Sequence, residues 1–294
     1  MNRVLVTGAA GQVGAAVAAQ LRGSWEVIAH DRASLDLADP ARIAAVVAET
    51  RPDVIVNAGA YTAVDRAETD TQAALAANSV APGAIGIAAK HVGAVVIHFS
   101  TDYVFDGTKA TPYVESDPTS PVSVYGASKL TGERALAASG VPHVILRTSW
   151  VYGPRGKNFL LTMLNAAKTR EEVRVVDDQR GAPTSALQLA RATQALLAQP
   201  ADKLRSATGV YHCSAAGDVT WFDFTREIYE RWGKINPGFR APRVVPIPSS
   251  EYPTPVKRPA NSRLSNAKLQ ETFRIALEPW EQGLDETLAV LASA

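Results

Sequence analysis

Tyr125 and Lys129 are the residues of this chain whose types and spacing most directly suggest chemistry. Four positions apart on a helix, the phenol and the ammonium share one face and can reach the same ligand. A free phenol titrates near 10 and is a poor acid at neutral pH. A neighbouring cation favours its ionised form and draws it toward the working range. The pair alone is common on surface helices, so its meaning depends on the elements that precede it.

Those elements alternate. Arg3–Thr7, Glu26–Ala29, Val54–Asn57, Val95–Ser100 and Val144–Ser149 read as buried strands. Val13–Leu21, Arg42–Glu49, Ala73–His91 and Tyr125–Ser139 read as helices between and after them. Pro40 after Asp39 marks a helix start, and Pro142 after Gly140 marks an end. Continuous apolar strands alternating with helices predict an α/β fold, a Rossmann-type doubly wound parallel sheet covered on both faces. The division expected is a dinucleotide-binding domain over 1–150, with a returning segment near 185–213, and a smaller C-terminal substrate-binding lobe over 151–294. Helices near Asn158–Lys168, Ser185–Ala198 and Phe222–Trp232 belong to that second half. The proline-rich stretch Pro237–Pro259 predicts no regular structure, only an ordered loop or a linker.

The first strand runs into Gly8, Gly11 and Gly14 and then into a helix. Glycines there let the backbone turn and approach a pyrophosphate at a helix N-terminus. At the end of the second strand, Asp31 would meet ribose hydroxyls and favour NAD, while Arg32 would pair with a 2′-phosphate and favour NADP. The two point opposite ways, and either NADH or NADPH fits. Asp36 and Leu37 are placed to lie against the adenine. Ala58, Gly59, Ala60, Tyr61 and Thr62 end the third strand with residues mostly small enough for close passage of the cofactor. Thr101, at the end of the fourth strand, supplies a hydroxyl that can bind the same substrate oxygen as Tyr125. Lys129 is expected to hold the nicotinamide ribose and to lower the Tyr125 pKa.

Glycine loop, Asn57-Ala58-Gly59-Ala60, Thr101 and the Tyr125–Lys129 pair resemble, in order and spacing, the extended short-chain dehydrogenase/reductase family over nearly the whole chain. Within it, blocks such as Ser100–Gly107, Arg147–Gly153, Asp178–Thr184 and Arg258–Leu264 are similar to reductases of a nucleotide-linked 4-dehydro deoxysugar. The resemblance implies NAD(P)H-dependent reduction of the 4-keto group of dTDP-4-dehydro-β-L-rhamnose, a step toward cell-surface polysaccharide. It implies Thr101, Tyr125 and Lys129 as the catalytic set, and Gln12 and Val13 beside the glycines as cofactor contacts. Asp102 and Trp150 would touch the deoxysugar, with Val64 at its border. Asn158 and Arg263 would serve the nucleotide end. At positions 59 and 61 the chain has Gly and Tyr where family members often carry Ala and His, which bears on cofactor preference. Another nucleotide-sugar reductase or epimerase, or a non-catalytic cofactor-sensing subunit, are the alternative readings.

Composition fits this frame. Of 294 residues, 46% are hydrophobic and 20% charged, and the net charge of +1 gives no electrostatic reason for a nucleic acid or membrane partner. The longest predominantly apolar run, Val92–Phe99, is too short to span a bilayer. The single cysteine, Cys213, reads as a small buried apolar residue. The five histidines do not fall at metal-ligand spacings, so no metal is expected. The expected partner is a nucleotide sugar, in the cytoplasm, with a homodimer compatible.

Overall fold

The computed structural model describes residues 2–293. The first half comprises β1 (Arg3–Thr7), α1 (Gln12–Leu21), β2 (Glu26–His30), α2 (Pro40–Thr50), β3 (Val54–Asn57), α3 (Val64–Ala67) and α4 (Thr71–Leu75). A π-helical turn over Ala76–Val80 leads to α5 (Ala81–Val92), β4 (Val95–Thr101), α6 (Val124–Ala138) and β5 (His143–Thr148). Then follow β6 (Val151–Tyr152), α7 (Phe159–Ala166), β7 (Glu172–Val176), β8 (Arg180–Gly181), β9 (Thr184–Ser185), α8 (Ala186–Leu197) and α9 (Ala201–Ser206). The chain closes with β10 (Gly209–His212), β11 (Val219–Thr220), α10 (Trp221–Ile235), β12 (Arg243–Ile247), α11 (Ala267–Phe273) and α12 (Trp280–Ala292).

Six strands form one parallel sheet in the order β10-β5-β4-β3-β1-β2. The order reverses between β1 and β3, the place where open sheets of this kind bind ligands. Strand residues alternate between two cores. Val4, Val6, Val54, Val56, Ile97 and Leu146 pack toward α1 and α8. Leu5, Ile55, Val96 and Ile145 pack toward α2, α5 and α6. A third core joins α7, β7, α10 and α12 around Phe224, Ile228, Leu284 and Leu288. Asp39 caps α2 by accepting from Arg42 N–H, as the Asp-Pro start implies. Cys213 is fully buried, and burial pushes its thiol up to about 12.

Two expectations need correction. The helix read over Ala73–His91 is interrupted by the π turn. Pro82 has no N–H to offer the Asn78 carbonyl one turn back, and the Asn78 side chain turns inward instead. Its Oδ1 accepts from Tyr61 N–H at 2.8 Å, and its Nδ2 donates to Ser128 Oγ at 3.0 Å. The proline-rich stretch does contain regular structure: β12 pairs in parallel with β7. This two-stranded sheet has edges on both sides, so the donor that Pro246 lacks goes unmissed.

Candidate active site

A cleft of about 1470 Å³ lies between the C-terminal ends of the parallel strands and the third core. Gly8, Gly11, Gln12 and Val13 line it from the first loop, and Arg32, Asp36 and Leu37 from the segment after β2. Ala58 through Thr62 line it after β3. Gly8 has φ +67°, and a Cβ there would lie 2.6 Å from the Gly59 backbone, so the two loops meet without side chains between them.

Two of the expected cofactor residues stand outside the cleft lining. Gly14 faces back into its own loop, where a Cβ would strike the Gly8 carbonyl, so its role is close packing of helix on strand. The Asp31 carboxylate accepts from Ser34 N–H at 3.0 Å and from Ser34 Oγ at 2.9 Å. These bonds hold its carboxyl below the usual range and commit it to the turn. Tyr61 reaches the cleft, but its hydroxyl donates to Asp70 at 3.0 Å.

Thr101, Tyr125 and Lys129 converge on the same cleft. Ser123 caps α6, its Oγ accepting from Gly126 N–H at 3.0 Å, which starts the helix one residue before Tyr125. Tyr103 meets the Tyr125 ring edge to face at 5.6 Å. Thr101 Oγ1 donates to Asp102 Oδ1 at 3.0 Å. Burial pushes the Tyr125 phenol upward, the Thr101 hydroxyl opposes this, and Asp102 and Tyr103 reinforce it. The expected lowering by Lys129 is not what this geometry provides. Lys129 is only 2% exposed, and its Nζ donates to the Phe99 carbonyl at 2.7 Å. Burial lowers the amine itself to about 8, with Glu133 pulling the other way.

Asp102 is buried, and its Oδ2 has no hydrogen-bond partner. Burial raises its carboxyl to about 6, against hydrogen bonds from Ser262 and Thr101. Val64, Trp150 and Asn158 also line the cleft. Asn158 Oδ1 caps α7 through Leu161 N–H at 3.0 Å, while Nδ2 donates to Gln12 Oε1 at 2.9 Å. Arg263 does not reach the cleft. Its guanidinium donates to Asn261 Oδ1 at 2.8 Å and to the Ala110 carbonyl, which fixes a loop instead.

Trp150 is not a bare platform. Its indole stacks on Trp221 with centroids 3.4 Å apart and planes 7° from parallel. A Cβ on Gly181 would stand 2.5–2.9 Å from three atoms around the ring fusion of Trp150, an approach open only from a face. Trp221 thus covers one face of Trp150 and the Gly181 backbone crowds its ring fusion, so the apolar wall is the pair. Sequence reading missed Trp221, whose only signal is its place just after the helix-capping Thr220. It also missed Tyr103, and Arg258, which lines the cleft and donates to Asp65 at 3.0 Å. Among the described residues, no group of three or more His, Cys, Asp or Glu is placed to hold a metal ion.

The family model described as RmlD substrate binding domain matches residues 1–293. The chain belongs to that family. It is 49% identical over 285 residues to a dTDP-4-dehydrorhamnose reductase of Burkholderia thailandensis, covering 95% of each chain. Among solved structures, a dTDP-4-dehydrorhamnose reductase of Clostridium acetobutylicum is similar with a TM-score of 0.90 and 38% identity, over 98% of this chain and 99% of that one. The enzyme of the same name from Bacillus anthracis, solved in complex with NADP, has a TM-score of 0.91 at 32% identity, over 99% and 100%. In this family member, no helix among the described residues is long and apolar enough to cross a membrane.

Proposed function

We propose that this chain reduces the 4-keto group of dTDP-4-dehydro-β-L-rhamnose to dTDP-L-rhamnose with NADPH or NADH, in the cytoplasm. The reading rests on one observation: Thr101, Tyr125 and Lys129 open onto the same cleft as the glycine loop. The substrate is that of its named relatives, including the one at 49% identity.

The residues fit a dinucleotide. The Gly8–Gly59 approach leaves bare backbone before the N-terminus of α1, where a pyrophosphate would be held. Arg32 faces the cleft while Asp31 is tied to Ser34, which favours a 2′-phosphate and hence NADPH. Bound there, the cofactor supplies a hydride. Tyr125 gives its phenolic proton to the carbonyl oxygen, and Thr101 turns its hydroxyl from Asp102 to the same oxygen, stabilising developing negative charge. The Trp150–Trp221 pair closes the apolar side of the sugar.

Incubation with dTDP-4-dehydrorhamnose and each reduced cofactor tests the reading. The expected result is loss of the reduced cofactor's near-ultraviolet absorbance matched mole for mole by dTDP-L-rhamnose. An epimerase would consume none, and absence of turnover with both cofactors would refute the assignment.

A further inference from the structure

Beneath Lys129 runs a buried polar chain that the proposed reaction does not use. Gly59 N–H donates to Thr7 Oγ1 at 3.3 Å, and the Thr7 hydroxyl donates to Asn57 Oδ1 at 2.7 Å. Asn57 Nδ2 meets His98 Nδ1 at 3.0 Å, and His98 Nε2 faces Lys129 Nζ at 3.4 Å. Thr7, Asn57, His98 and Lys129 are each at most 2% exposed.

With the Asn57 carbonyl oxygen turned toward Thr7, the donors run one way along the chain. A backbone N–H can only donate, so Gly59 occupies a lone pair of Thr7 and leaves the hydroxyl proton for Asn57 Oδ1. The Asn57 amide nitrogen then donates to a bare His98 Nδ1, which puts the imidazole proton on Nε2. That proton points at Lys129 Nζ, which gives one of its own protons to the Phe99 carbonyl. An Nε2–H beside Nζ is satisfied only when the amine is uncharged and offers its lone pair; the charged amine calls for a bare Nε2 and the proton on Nδ1. The charged and titratable groups near this point are Lys129 and Glu133 from α6 and His143 and Arg147 from β5; Glu133 and Arg147 pair with each other at 2.6 Å. Burial, then the Lys129 charge, keep His98 neutral.

We propose that His98 is a positioning residue: it ties the Lys129 amine, through Asn57 and Thr7, to the Gly59 backbone of the cofactor-lining loop. The chain sets where Nζ stands and offers a donor to the amine once it has passed its proton on.

The tautomer can be read without turnover. Long-range 15N–1H spectra of the protein, with His98→Gln identifying the signal, should show a neutral His98 carrying its proton on Nε2 near pH 9, above the range in which the Lys129 amine is charged. A proton on Nδ1, or a charged ring, would overturn the proposal. Thr7→Val, which touches neither Lys129 nor the cleft chemistry, should mix the two tautomers; an unchanged spectrum would break the link to Gly59. The kinetic arm rests on the proposed reductase reading. His98→Leu should lower kcat by roughly 10-fold or more with substrate KM within about 2-fold. His98→Gln, whose amide can accept from Asn57 and donate to Nζ, should restore kcat to within about 3-fold of the parent. A folded His98→Leu with unchanged kcat would overturn the proposal while leaving the reductase reading intact. Absence of turnover in the parent would refute that reading alone, and the spectra would still decide on His98.

Discussion

At the scale of single residues, the proton donor and the carboxylate beside it carry opposite demands. Tyr125→Phe removes only a hydroxyl, so cofactor affinity measured by fluorescence should hold while kcat falls by roughly 10²–10⁴-fold. Unchanged turnover would remove Tyr125 from its role. Asp102 makes a pH prediction. Its carboxyl is raised from 3.8 to about 6 by burial, so between those values the folded protein holds a proton that the unfolded chain has released. Stability contributed here therefore falls as pH rises through that window and levels off above it. Asp102→Asn, which keeps the uncharged shape, should match the parent near pH 4 and exceed it by up to about 3 kcal/mol at pH 7. Urea unfolding at both values measures the difference, and a gap that shrinks with rising pH would contradict the assignment.

At the scale of elements, the crossing of α6 over the π turn is the tightest feature. A Cβ on Gly132 would enter the Asn78 carbonyl in the π turn, so Gly132→Ala should cost about 1–3 kcal/mol in denaturant unfolding. The same place shows what sequence reading reaches. The helical pattern over Ala73–His91 was legible from its spacing, whereas the π turn follows from a proline and an inward asparagine acting together across a second helix. The strands, the glycine loop and the Thr101–Tyr125–Lys129 set were legible because each is local: an apolar run, a bare turn, a helical spacing. For Asp31 and Arg263, chemical type says what a side chain can bind, not what its neighbours already occupy. Ser34 takes the first and Asn261 the second. Trp221 was invisible as a site residue because its partner lies some 70 positions earlier, at Trp150.

At the scale of the whole molecule, the cleft is held by a few links between the sheet and the third core. Asn158 is one, donating from the start of α7 to Gln12 in the glycine loop. Asn158→Asp keeps the cap on α7 but loses the donor that Nδ2 offers to Gln12 Oε1 and to the Gly153 and Arg155 carbonyls. Cofactor affinity should fall by about 3- to 10-fold, the worth of one hydrogen bond, and thermal stability should fall as well, because two loop carbonyls lose the same donor. Lower stability with unchanged affinity would mean that the bond to Gln12 does not support the glycine loop. The stacked indoles are another link, since Trp150 follows β5 of the sheet and Trp221 opens α10 of the third core. Rings this close and this nearly parallel share their excited states, so their near-ultraviolet circular dichroism depends on how the two indoles sit against one another. The protein thus carries an unlabelled optical gauge of the junction between the sheet and the third core.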